Sequence, residues 1–132
     1  MKQLTLSIKR KYFDLIVSGE KKEEFREIRP NNSEKYVTFR LGGKEYRKWS
    51  ELPENDEEVE ILPVEYDTIK FLTGAYSGKR PYAVVEVVRA GWIIDEDEDG
   101  NRLTFEKDGI TYYVMYIGYE LGRVLEVNMN PL

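Results

Sequence analysis

Only one stretch of this chain carries a clear helical period, and that restricts its fold more than any other feature. In "KRKYFDLIVSG", residues 9–19, Tyr12, Phe13, Ile16 and Val17 recur at the spacing that gathers side chains on one helical face. Gly19 stands where a helix C-terminus favours a residue free to take positive φ. Almost everything else that is periodic has period two. "KQLTLSI" alternates Leu4, Leu6 and Ile8 with Thr5 and Ser7, and "KEEFREI" is extended up to Pro30. "DTIKFLTG" and "PYAVVEVVRAGWII" are rich in β-branched and aromatic residues, the composition of strands. "EDEDGN" reads as a hairpin tip through Asp99-Gly100, and "RLTFEKDGITYYVMYIGYEL" adds strand material with a second tip at Asp108-Gly109. Between residues 31 and 66 the pattern is weaker: Asn32 or Ser33 can cap a short helix, and Gly42-Gly43 marks a turn. A strand, one helix and then several antiparallel strands predict an α+β, mostly β domain. The apolar strand faces need closure into a small barrel, or a covering helix, to be buried.

At 132 residues the chain is long enough to bury a core without covalent staples, and it reads as a single domain over residues 1–132. It contains no cysteine and no histidine. Disulfides, thiolate nucleophiles, zinc fingers and every Ser-His-Asp or Cys-His arrangement are thereby excluded. Acid–base chemistry would fall to Asp, Glu, Lys, Tyr or bound water, and no cofactor or metal site is expected. No apolar run of membrane-spanning length occurs, and Lys9, Arg10 and Lys11 interrupt the N-terminal apolar pattern too early for a signal peptide. The expectation is a cytoplasmic protein without a membrane partner.

The formal net charge of −5 conceals a division. Residues 1–50 hold 13 basic and 7 acidic side chains, whereas residues 51–67 hold 8 acids and no base, and "DEDED" fills positions 95–99. Both acidic segments are flanked by turn residues and read as solvated loops, and residues 51–67 are expected to be exposed and to lie away from a nucleotide-binding cleft. An acidic protein does not coat nucleic acid by bulk charge, yet it can still read one nucleotide in a pocket.

Candidate chemistry concentrates in "SGEKKEEFREIRP", residues 18–30. If residues 22–26 are extended, Lys22, Glu24 and Arg26 share one face and Phe25 takes the other, with Lys21 at the turn after Gly19 leaning toward Glu24. A lysine can grip a phosphate or carbonyl oxygen, Arg26 offers a planar fork, and Glu24 can accept from an exocyclic amine. The competing reading is a salt-bridge ladder worth little. In "LTGAYSGKRP", Gly74 and Gly78 surround Tyr76, followed by Lys79 and Arg80. Glycines admit a close backbone approach, the ring can stack on a base, and the cations suit a phosphate. Lys9, at the end of the first strand, would lie near the same mouth. Glu86, between Val85 and Val87, reads as outward-facing, and the Tyr112–Ile117 alternation as barrel wall.

The order of strand "LTLSIK", helix "YFDLIVSG" and then Gly19, Lys21, Glu24 and Arg26 in a G-x-K-x-x-E-x-R pattern resembles the ASCH domain family, and most of all its small bacterial and prophage members. The resemblance continues in "TIKFLTGAYSGKRPYAVVEV", through Thr68, Phe71, Gly74, Tyr76, Pro81 and Glu86, and in "YYVMYIG". Residues 31–66 and 95–99 match none of it and read as insertions or extended loops. The resemblance implies a PUA-like small β-barrel with a flanking N-terminal helix. It also implies a cleft that binds RNA, a nucleoside or a nucleotide, here through Lys9, Lys21, Glu24, Arg26, Gly74, Tyr76, Lys79 and Arg80. In a subset of relatives a lysine and a threonine of this motif, with a distant glutamate, imply an amidohydrolase acting on acetylated cytidine. Lys21 holds the lysine position, but Glu24 stands where the threonine would be, and no distant glutamate matches. Were the chain an enzyme, Lys21 would act as nucleophile or oxyanion stabiliser and Glu24 as general base. A protein-interaction domain using exposed aromatics is the third reading.

Overall fold

The computed structural model describes residues 2–53, 58–74 and 79–129. In chain order the elements are β1 (Gln3–Ser7), α1 (Arg10–Val17), β2 (Glu23–Ile28), β3 (Val37–Leu41), β4 (Lys44–Tyr46), β5 (Glu60–Pro63) and β6 (Thr68–Leu72). The long β7 (Tyr82–Ile94), the short β8 (Thr104–Lys107) and β9 (Ile110–Tyr113), and the long β10 (Met115–Asn128) complete the chain. Two 3₁₀ turns lie at Ser33–Lys35 and Trp49–Glu51. The expected mostly β fold with one α-helix is present. No helix among the described residues is long and apolar enough to cross a membrane.

The chain divides into two compact units, residues 1–24, 65–90 and 119–132 in the first and residues 25–64 and 91–118 in the second. The first unit is organised on a five-stranded sheet in the order β1-β6-β7-β10-β2, of which β2, β7 and β10 are shared with the second unit. β1 runs parallel to β6, from Gln3 opposite Thr68 to Ser7 opposite Leu72, a pairing the sequence did not indicate, while β6 and β7 pair antiparallel. Local alternation reports which residues face inward, not which strand lies alongside. The order is linear, with β1 and β2 at its ends, and no closed barrel forms among the described residues.

Leu4 and Leu6 of β1, Ile69 and Phe71 of β6, Ala83 and Val85 of β7, and Tyr119 and Leu121 of β10 are buried at alternate positions. α1 adds Phe13 and Ile16. Eight residues are too few for a helix to persist alone, and no side chain caps its N-terminus, so this buried pair holds it in place. Tyr12 departs from the expected apolar face: it is an exposed residue, at 39%. The helix stops as expected, with Gly19 at φ +83° and the Lys21 N–H donating to the Leu15 carbonyl at 2.9 Å.

In the second unit β3 pairs antiparallel with both β4 and β5, and β8 with β9. The expected turns are there: Gly42-Gly43 joins β3 to β4, and Asp108-Gly109 joins β8 to β9, all four residues at positive φ. Asn32 precedes the first 3₁₀ turn but does not cap it. Its Oδ1 accepts from the Arg29 N–H at 2.7 Å, and its amide donates to the Glu27 carbonyl. The core here is Ile28, Tyr36, Val37, Phe39, Leu41, Met115 and Ile117. Trp49 meets Phe39 and Tyr113 edge-on, with centroids 5.6 and 6.0 Å away.

Candidate functional site

β2 begins against the usual rule of strands. Glu24 is buried, at 7% exposure, and the neighbouring Phe25 is 54% exposed. Alternation along a strand must send these two side chains to opposite faces, and here the carboxylate takes the inside. The Phe25 ring is not loose, for it covers Gly118: a Cβ at that glycine would sit 2.7 Å from Phe25 Cε1. The room given up by Gly118 is therefore part of what lets an aromatic residue lie outward at position 25.

Lys21 supplies a charge that faces Glu24. Its Nζ lies 3.9 Å from Glu24 Oε1, beyond hydrogen-bond range but close enough for strong attraction where water is scarce. The Lys21 side chain is one quarter exposed and that of Glu24 one tenth, so the ammonium connects the buried carboxylate to solvent. The same Nζ stands 5.9 Å from the centre of the Tyr12 ring, and Lys11 Nζ is 4.8 Å from that ring. An exposed aromatic ring, two ammonium groups and a sheltered carboxylate thus share one corner of the first unit. Tyr12 was not expected in this role, because its helical spacing reads as core.

A second group forms around the start of α1. The parallel pairing of β1 and β6 places Ser7 beside Leu72, so the residues following both strands leave at one end of the sheet. Ser7, Ile8, Lys9, Arg10, Thr73, Gly74 and Arg80 line an open depression of about 510 Å³ there. Arg80 is tied to its floor, donating to Ser7 Oγ at 3.2 Å and to the Leu72 carbonyl at 3.5 Å. Arg10 pairs with Asp14 at 2.9 Å, and Lys9 has no ion pair among the described residues. Gly74 takes φ +91°, a conformation that disfavours any side chain. Of the residues expected from the sequence, Lys9, Gly74 and Arg80 meet in this depression, while Ser7, Arg10 and Thr73 join them unforeseen.

Among the described residues the expected site residues fall in two groupings, Lys21 with Glu24 and Tyr12, and Lys9 with Gly74 and Arg80. Lys21 and Glu24 do not line the depression. Lys79 is exposed and lies outside its lining. Tyr76 falls outside the described residues. Lys22 precedes β2 and is exposed, and Arg26 is a half-buried residue of the second unit.

No family model, curated protein or solved structure matches this chain. The chemistry of the two groupings thus rests on their own geometry. Other charged positions have local explanations. Glu86 accepts from the Arg123 backbone N–H at 3.0 Å and from its guanidinium at 2.9 and 3.2 Å, and these bonds hold its carboxyl below the usual range. Asp97 accepts from the N–H groups of Asn101 and Asp99, which lowers it in the same way and shapes the acidic hairpin tip. The described acids of residues 51–67 are exposed, and none lines the depression.

Proposed function

We propose that this chain is a nucleoside- or RNA-binding module of the ASCH type, a PUA-like variant whose outer strands β1 and β2 are left unjoined. The observation that carries the proposal is the inversion at the start of β2. Burying a carboxylate while exposing the phenyl ring beside it reverses the usual preference of a strand, which places its apolar residue inside. In the proposed site Glu24 accepts from the exocyclic amine of a base, and Lys21 donates to a carbonyl or phosphate oxygen. Tyr12 presents a ring face at the edge of the same corner.

The depression at the start of α1 fits the phosphate of the same strand. Lys9, Arg10 and Lys11 crowd the N-terminal end of the helix, where the macrodipole already favours negative charge. An anion bound there relieves the crowding and meets the positive charge of Arg80 as well. The amidohydrolase reading draws less support, because its threonine position is a buried glutamate that faces an ammonium ion.

A thermal-shift screen of nucleosides, with acylated and methylated cytidines included, tests the proposal. Binding stabilises by mass action, so a ligand at one hundred times its Kd adds about 2.7 kcal/mol. A rise in Tm with at least one cytidine derivative that disappears in Lys21→Ala is expected. No shift with any nucleoside or short RNA in the wild-type protein would refute the reading.

A further inference from the structure

The second unit contains a larger recess that the proposed function does not use. It is an open recess of about 700 Å³ lined by Trp49, Ile61, Trp92, Thr111 and Tyr113 among others, with Arg102 and Glu58 as the charged residues among those described. That volume lies inside the range of about 300–1,000 Å³ typical of small-molecule sites. We propose that this groove is a second ligand site, one that takes a planar aromatic ring bearing a negatively charged group.

The walls give the first half of the argument. Trp92 is fixed by its indole N–H, which donates to the Ile61 carbonyl at 2.8 Å. Trp49 is held edge-on between Phe39 and Tyr113. All three aromatic walls are half-buried, so they combine fixed orientation with accessible surface. Rigid flat walls favour a flat ligand, since little conformational freedom is lost on stacking.

Arg102 gives the second half. Its guanidinium lies 5.7 Å from the centre of the Tyr113 ring, and it has no ion pair among the described residues. A guanidinium beside one aromatic wall carries in-plane N–H donors in the fork that suits a carboxylate or phosphate. Arg102 is paired through its backbone to Glu96, which anchors the residue without using those donors. The site does not depend on the Lys21–Glu24 reading and can stand or fall separately.

The chain offers a built-in reporter, because its only two tryptophans, Trp49 and Trp92, both line the groove. Fluorescence excited at the red edge of indole absorption is followed while adenosine 5′-monophosphate, phenylacetate, adenosine or inorganic phosphate is added. Saturable quenching is expected from at least one of the two aromatic anions, with adenosine and phosphate at least about tenfold weaker than that anion. Quenching by the nucleotide alone assigns a nucleotide site, and by phenylacetate alone an aryl carboxylate site. Arg102→Gln, an exposed substitution, should remove the advantage of the anion, whereas Arg40→Gln, which removes a cation outside the groove, should retain it. No saturable quenching by either anion, or quenching undiminished in Arg102→Gln, would overturn the proposal.

Discussion

The attraction between Lys21 and Glu24 can be measured by a double-mutant cycle of Lys21→Met, Glu24→Gln and the double variant. At 3.9 Å, two unit charges attract by about 4 kcal/mol at an effective dielectric of 20. Two features of the site reduce that figure. The Lys21 side chain is one quarter exposed, so water screens it, and the separation is too long for a directed hydrogen bond. A coupling of about 1 kcal/mol is expected, above the usual exposed pair and below a fully buried one. Lys21→Met should be the costlier single change, at about 1–2 kcal/mol, because it takes an ammonium group away from a sheltered carboxylate. Glu24→Gln leaves only an ammonium that can turn to solvent. Urea denaturation at constant m value reads all three differences through the midpoint. Additivity within about 0.3 kcal/mol would refute the reasoning, since the buried carboxylate would then owe nothing to the lysine.

Two phenylalanines should respond very differently to truncation: Phe71→Ala, at a fully buried position, should cost about 3–5 kcal/mol, and Phe25→Ala about 1 kcal/mol, by the same denaturation assay. Gly19→Ala should cost about 1 kcal/mol, because φ +83° must be kept while the space around it is open. The Glu86 and Asp97 carboxyls are lowered in the folded state, so their contribution is complete above the unfolded pKa and is lost as pH falls through the folded one. Thermal stability should therefore decline below roughly pH 4, and Glu86→Gln should make that decline shallower. If three cations around the depression contact RNA phosphates, log affinity should fall against log salt with a slope of about −2, and Arg80→Ala should flatten it by about 0.7.

The parts of this fold that follow from local rules were readable in advance. Leu4 and Leu6 alternate, Gly19 ends a helix, and Asp108-Gly109 turns a hairpin, because each property belongs to a few neighbouring residues. What depends on distant pairing was not readable. The parallel register of β1 with β6 sets Ser7 beside Leu72 across 65 positions, and only that register gathers Lys9, Thr73 and Arg80. Tyr12 illustrates a different loss, since helical spacing cannot tell the edge of an apolar face from its centre. Lys21 and Glu24 were legible as a pair because they stand three positions apart. Which member would be buried was not, for a strand of the form Glu-Glu-Phe-Arg offers its phenylalanine to the core by default.

Base preference tests the central claim most directly. Fluorescence anisotropy of short labelled oligocytidine and oligouridine RNAs isolates the amine that Glu24 would accept, since uridine carries a carbonyl there. The wild-type protein should favour oligocytidine by about tenfold, Glu24→Met should lose that preference, and Lys21→Ala should weaken both RNAs. Equal affinity for the two RNAs in the wild type, or a preference that survives in Glu24→Met, would contradict the account.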